Sequence, residues 1–178
     1  MISVLVVSPT LHGQSQGVRA PEAVARSLGS LVRAIVEGVL RDAAIIGPAG
    51  DNLGPIAEEA GCGLIETSSL AEGLAQGLAQ MRGDVAFVLL GGYAPPAAFI
   101  QEAGDLLLEG VNFPGAVLRC APDSLLTRLA PGLARPVGAL ALRRTAQAAA
   151  ASDLADLIRA AKIRRALTVR ALRLAPFA

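Results

Sequence analysis

The sequence predicts a three-layer α/β/α domain with a mainly parallel sheet, Rossmann-like in its order of elements. Three observations predict it: short β-branched apolar runs recur, most stop at Pro or Gly, and each is followed by a segment with apolar residues three and four apart. Alternation of that kind buries strands on both faces and lays helices over them. At 178 residues the chain is one domain, 1–178, because two would each be short of core.

The opening run ISVLVVSPT is a fully buried strand stopped by Pro9. A polar, Gly-rich loop (residues 12–20) leads to a helix with Pro21 in its first turn. Its expected apolar face is Val24, Leu28, Leu31, Val32, Ile35, Val36 and Val39. DAAIIGPAG is the second strand, DNLGPIAEEAG a short helix between Pro55 and Gly61, and CGLIET the third strand. In SSLAEGLAQGLAQMRG, Ser68 or Ser69 with Glu72 forms a capping box. DVAFVLL is the fourth strand, PPAAFIQEAGDLLLEG a helix and GAVLRC the fifth strand. Beyond Pro136, VGALALRR reads as a strand, TAQAAAASDLADLIRAAKIRRAL as one helix and TVRALRLAP as a closing strand or tail. Arg159, Lys162, Arg164 and Arg165, set among Leu157, Ile158, Ile163 and Leu167, give a basic C-terminal helical segment over about residues 145–178.

Hydrophobic residues make up 53% of the chain, charged ones 17% and aromatics 3%, which excludes the disordered class and requires an aliphatic core. A net charge of +1 supplies no global field, so no nucleic-acid partner is expected. Cys62 and Cys120 make neither a disulfide framework nor a zinc spacing; both are expected as buried small hydrophobes in a reducing cytosol. MISVLVV lacks the basic flank and cleavage site of a signal peptide, and no run approaches the ~18–20 apolar residues of a membrane span. A cytoplasmic protein is expected, with attachment to the inner face of the membrane left open through the basic segment.

Neither phosphate-cradling glycine pattern follows the first strand. SPTLHGQSQG offers Ser8, Thr10, Ser15, Gly13, Gly17 and the lone His12, but no lysine. His12 has the pKa range of a general base, yet no sequence partner orients it, so a solvated loop is its expected place. No nucleophile elbow is present. A metal on a diphosphate needs hard carboxylate ligands at the strand ends. Asp51 lies four residues beyond Gly47, the fourth strand ends in Gly91-Gly92 with no acid, and Asp84 precedes that strand and falls at the opposite edge.

In order along residues 2 to about 169, ISVLVVSPTL, DAAIIGPAGDNLGPIAEEAGC, RGDVAFVLLGGYAPPAAF and DLADLIRAAKIRRALTV resemble the glycosyltransferase family 2 type, the GT-A fold that binds a nucleotide-diphospho-sugar. The resemblance implies nucleotide binding at Pro9, Thr10, Asp51, Gly91 and Gly92, and leaves Asp153 as the catalytic candidate. It also puts the family's Asp-x-Asp on Leu90, Gly91 and Gly92, its strand-end acid on Ile46 or Gly47, and its acidic base motif on Ala150 and Ala151. The family's Mg²⁺ or Mn²⁺ therefore lacks its ligands and no cofactor is expected; Arg119, Arg143 or Arg144 are the candidates to meet a leaving diphosphate.

The function so implied is nucleotide-sugar binding with reduced or metal-independent transfer, approaching a pseudoenzyme. One alternative is a non-catalytic scaffold that retains the fold. Another is a nucleotidyltransferase-like protein, which wants a Gly-rich, Lys-containing loop that LHGQSQGVRA supplies only in part. The implied partners are a nucleotide-sugar or sugar phosphate, and a protein or membrane surface for the basic segment.

Overall fold

The first strand, β1 (Ile2–Val7), is buried along its whole length and lies inside the sheet. On one side it pairs in parallel with β2 (Leu40–Gly47), which pairs in parallel with β3 (Gly63–Glu66); on the other it pairs in parallel with β4 (Val85–Leu90). The computed structural model describes residues 1–13, 19–110, 113 and 115–174; Ser15, Gly17 and Phe177 lie outside the described residues. Beyond β4 the sheet continues through β7 (Pro136–Leu142), β6 (Ala116–Cys120), β8 (Ala166–Arg173) and the two-residue β5 (Tyr93–Ala94). Strand β7 is antiparallel to both β4 and β6, β8 is parallel to β6, and β5 is antiparallel to β8. Only β7 and β5 thus run against the rest, so the mainly parallel sheet of the three-layer α/β/α domain is observed.

Helices α1 (Ala20–Val36), α2 (Gly54–Ala60), α3 (Leu70–Gln80), α4 (Ala98–Leu108), α5 (Leu125–Leu129), α6 (Arg143–Ala149) and α7 (Leu154–Ala160) complete the layers. Neighbouring residues of a strand point to opposite faces. Val4 shares a groove with Leu28 and Leu31 of α1, while Leu5 sits against Gly77 of α3, so these two helices cover opposite faces. Phe87 of β4 and Phe99 of α4 stack with centroids 4.8 Å apart, locking α4 to the middle of the sheet.

Helix α1 buries Val24, Leu28 and Leu31 of the expected face but turns Val32, Ile35 and Val36 away from the core. Ala20, Ala23, Val24, Ser27, Leu28, Leu31 and Ala34 face inward, and Val32, Ile35 and Val36 are 55%, 46% and 79% exposed. Small residues on the inward stripe let the helix settle close to the sheet, which rotates the larger aliphatics outward. Cys120 is buried as expected, but Cys62 is only half-buried at the rim of the same groove, where burial pushes its thiol pKa up. At the start of α3, Ser69 caps by accepting the Glu72 N–H at 3.4 Å. The Glu72 carboxylate turns to the Thr67 hydroxyl at 3.4 Å, so only half of the expected box forms.

The long C-terminal helix does not form. Ala150 adopts a left-handed conformation (φ 44°) that ends α6, and Asp153 restarts the chain by accepting the Asp156 N–H at 2.8 Å as the N-cap of α7. The Ser152 hydroxyl bonds the Asp156 carboxylate, and with Arg159 nearby it holds that carboxyl below its usual pKa. After Ile163 the inward alternation of Leu167, Val169 and Ala171 makes a strand, β8, instead of more helix. Within its described residues, the basic segment expected over about 145–178 is therefore two short helices and a strand between β6 and β5, with Arg170 and Arg173 on the strand.

Candidate active site

The chain leaves β1 toward β2 on one side and leaves β4 toward the strands on the other. In an open α/β sheet such a divergence opens a crevice at the carboxyl ends of the two strands. Here those ends are tied down by backbone. The Gly91 N–H donates to the Val7 carbonyl at 2.7 Å, and the Ser8 N–H to the Ile46 carbonyl at 2.7 Å.

Past Ser8 the chain makes a 3-10 turn, Pro9–His12, which brings Thr10 back over the end of β2. A second turn, Ala49–Asp51, raises Asp51 to meet it. The Thr10 hydroxyl donates to Asp51 Oδ1 at 2.9 Å, and the buried Ser8 hydroxyl donates to Oδ2. Pro9, Thr10 and Asp51 therefore meet at one edge. Thr10 and Asp51 border a cleft of about 520 Å³ whose other wall is Arg19 to Glu22 at the start of α1.

Gly91 and Gly92 part company. Gly91 belongs to the floor between β1 and β4, but Gly92 (φ +88°) turns toward α1. Its N–H donates to the Ser27 hydroxyl at 3.0 Å, and its carbonyl accepts the Leu174 N–H at 2.9 Å. Asp51 points to Ser8 and Thr10, not to the two glycines.

A second cleft, about 510 Å³, opens beside Leu90 at the end of β4. Its walls are Leu11 and His12, Arg135 and Pro136 at the start of β7, and Ser152 to Ala155 at the start of α7. His12 is not the solvated loop residue its neighbours in sequence suggest. Its ring nitrogens are shielded from solvent and complete no hydrogen bond. Burial, helped by the nearby Arg135 charge, lowers its pKa to about 4, with backbone dipoles of His12 and Gly91 opposing. At neutral pH the imidazole is uncharged. Asp153 lines this cleft and spends Oδ1 on the cap of α7.

Arg135 is the cation on the wall of this cleft. It is exposed, and its guanidinium makes no hydrogen bond or ion pair within the described residues. Its only signal in the sequence is its place just before Pro136. The arginines expected to meet a diphosphate are placed otherwise. Arg143 lies at the opposite edge, its N–H on the Asp84 carbonyl (2.8 Å) and its side chain on the Met81 carbonyl (2.5 Å), and Arg144 follows it there. Arg119 is on the correct edge but donates to the Ala134 carbonyl at 2.6 Å, under the chain that returns to β7.

The residues present do not fit the metal that the resemblance implies. Among the described residues no group of three His, Cys, Asp or Glu side chains could hold an ion. Leu90, at the first Asp-x-Asp position, is a core side chain. A Cβ on Gly91 would lie 2.8 Å from the Val7 carbonyl oxygen and 3.0 Å from Pro9 Cδ, and one on Gly47 would lie 3.0 Å from Ser8 Cβ and run into Leu53. Gly91, the middle position of that triplet, and Gly47 thus leave no room for a side chain, whereas Gly92, where the resemblance puts the second acid, has space but a left-handed backbone (φ +88°). At the two positions that the resemblance gives to an acidic base motif, Ala151 is packed in the core and Ala150 is the left-handed residue that ends α6.

No family model matches the sequence, and no curated protein matches it. The likeness lies in solved structures. Glucosyl-3-phosphoglycerate synthase from Mycobacterium tuberculosis, in complex with Mn²⁺, UDP and glucosyl-3-phosphoglycerate, superposes with a TM-score of 0.64 at 14% identity, covering 100% of this chain and 71% of that one. The same synthase with Mn²⁺, UDP and phosphoglyceric acid gives 0.58 at 16% identity over 82% of this chain, which then spans 57% of the synthase's length. The 4-diphosphocytidyl-2C-methyl-D-erythritol synthase from Anaerococcus prevotii gives 0.63 at 8% identity, covering 100% of this chain and 89% of that one. These likenesses show a GT-A-like fold shared by glycosyl- and nucleotidyltransferases.

Proposed function

We propose that the protein binds a nucleotide-diphospho-sugar, or a sugar phosphate of that kind, across the carboxyl edge of the sheet, without a carboxylate-held metal. The observation that carries the proposal is Arg135: an unpaired guanidinium beside a neutral histidine in a cleft that opens from the β1–β4 crevice. A diphosphate brings negative charge that a metal would otherwise neutralise, and a fixed guanidinium meets phosphate oxygens in the geometry it prefers. The cleft at Thr10 and Asp51 takes the nucleoside end, where Asp51 holds the Thr10 loop in place. The GT-A-like synthase solved with UDP supports this choice of ligand class.

Transfer on this scaffold is reduced and metal-independent. An acceptor hydroxyl oxygen bonds to the anomeric carbon, the bond from that carbon to the diphosphate oxygen breaks, and its electron pair leaves on the diphosphate beside Arg135. The acceptor proton goes to Asp153 Oδ2 or to water. Asp153 serves the step poorly because its other oxygen is engaged in capping α7. A second reading, a scaffold that keeps the fold without catalysis, is favoured by a different observation: Asp51 and Asp153 are both committed to holding local structure.

Titration of UDP- and GDP-sugars into the wild-type protein and Arg135→Gln, followed by calorimetry or amide NMR shifts, tests the proposal. Binding is expected in the wild type and about tenfold weaker in the variant, the loss of one charge-assisted phosphate contact. No nucleotide binding at high ligand concentration contradicts it and favours the scaffold.

A further inference from the structure

Between β6 and β7 the chain makes an excursion over residues 121–135 that carries α5 and the 3-10 turn Pro131–Leu133. Four of its leucines point into solvent: Leu125, Leu126, Leu129 and Leu133 are 76%, 71%, 85% and 71% exposed. None packs on the domain core, although leucine is ordinarily among the most buried residue types. The excursion is nonetheless pinned at its base. The Ala121 N–H donates to the Ala171 carbonyl at 2.7 Å, and the Cys120 N–H to the Arg135 carbonyl at 3.0 Å. A capping box at Ser124 and Thr127 fixes the start of α5. The leucines are thus held outward by ordered backbone.

The strand beneath is basic. Arg119 of β6 and Arg170 of β8 are register neighbours, a placement that sets like charges side by side and is destabilising unless an anion or dipole offsets it. Arg119 has the Ala134 carbonyl, but Arg170 Nη1 is buried without a partner. Arg128 on α5 and Arg135 at its exit add to them. Across 119–135 and 170–172 four arginines stand against one acid, Asp123. Leu172, 57% exposed, continues the apolar surface onto the strand.

We propose that this surface docks on an anionic lipid bilayer, with the leucines of the excursion entering the headgroup and acyl boundary and the Arg119–Arg170 pair binding lipid phosphates. Apolar side chains held outward and ringed by arginine are the combination that interfacial segments use, and charge complementarity selects anionic over neutral lipid. A second copy of this chain would present the same arginines and be repelled. The surface is separate from the residues assigned above to nucleotide contact except at Arg135, which borders both.

Flotation with vesicles of phosphatidylcholine alone and of phosphatidylcholine with phosphatidylglycerol tests the proposal on the full chain. The protein is expected to float with the anionic vesicles, to stay behind with the neutral ones and to be released by salt. Leu126→Ser with Leu129→Ser, both at exposed positions that leave the core intact, should abolish flotation. Arg119→Gln with Arg170→Gln should lower the partition coefficient about thirtyfold, and circular dichroism checks that both variants fold. Equal retention on neutral and anionic vesicles overturns the proposal, as does no retention on either. So does a dimer in gel filtration that the leucine variant dissolves without any vesicle binding. Saturation of the Arg119–Arg170 pair by inorganic phosphate, without vesicle binding, would identify a free-anion site instead. Nucleotide titration of the leucine variant keeps this outcome distinct from failure of the nucleotide-binding proposal.

Discussion

The Asp51 carboxylate accepts the Thr10 hydroxyl at 2.9 Å and thereby joins the loop after β2 to the turn after β1. The Ser8 hydroxyl, fully buried, donates to the other oxygen, so Asp51 is a structural tie before it is a ligand contact. Asp51→Ala leaves the Ser8 hydroxyl buried and unsatisfied and should cost about 2 kcal/mol in urea unfolding. Asp51→Asn, which can still bond both hydroxyls, should lose less than half of that. Nucleoside binding should fall in both variants in proportion to the loss of order at Thr10.

Gly91, between the two positions that the resemblance gives to acids, tests how tightly the floor of the crevice is packed. Gly91→Ala pushes a Cβ against the Val7 carbonyl and Pro9, so it should destabilise by about 1–3 kcal/mol. Rebuilding the family's acids by Leu90→Asp with Gly92→Asp should unfold the domain before it gains metal affinity. It buries a charge in the core at residue 90 and forces a side chain onto a left-handed backbone at residue 92. A folded double variant that binds Mn²⁺ would contradict this expectation.

His12 gives the stability a pH dependence. Its folded pKa is about 4, below the ordinary 6.5, so the unfolded chain binds the extra proton between those values. Stability is therefore greatest above about pH 6.5, declines as the pH falls toward about 4, and is insensitive to this group below that. The span amounts to up to about 3 kcal/mol, reduced by partial solvent access. His12→Asn should flatten that part of the profile in thermal melts taken across pH. An unchanged slope would mean that His12 is solvated.

Asp153 separates capping from catalysis. Asp153→Asn keeps an oxygen to accept the Asp156 N–H and should leave stability within a few tenths of a kcal/mol, whereas Asp153→Ala should lose about 1 kcal/mol. Any glycosyl transfer that depends on Asp153 as a base should vanish in both variants. Transfer surviving in Asp153→Asn would assign the residue to the helix alone.

The strands and the first helices were legible in the sequence because β-branched runs and Pro or Gly stops act locally. The resemblance groups Pro9, Thr10, Asp51, Gly91 and Gly92 as nucleotide contacts; two short turns bring the first three to one edge, while Asp51 points away from the glycines. Three features were not legible. The break of the last helix depends on Ala150 accepting a left-handed backbone, which no composition rule marks. The outward turn of Val32, Ile35 and Val36 depends on how closely small residues let α1 approach the sheet. Arg135 enters the site only because β7 runs antiparallel beside β4, a pairing across many residues.

The most direct measurement is the affinity for a nucleotide-diphospho-sugar by calorimetry with Mn²⁺ and again with the metal chelated. The lack of carboxylates at Leu90 and Gly92 and the guanidinium of Arg135 predict binding whose dissociation constant is the same in both, and which Arg135→Gln weakens. Binding that appears only with Mn²⁺, indifferent to Arg135, would contradict the account.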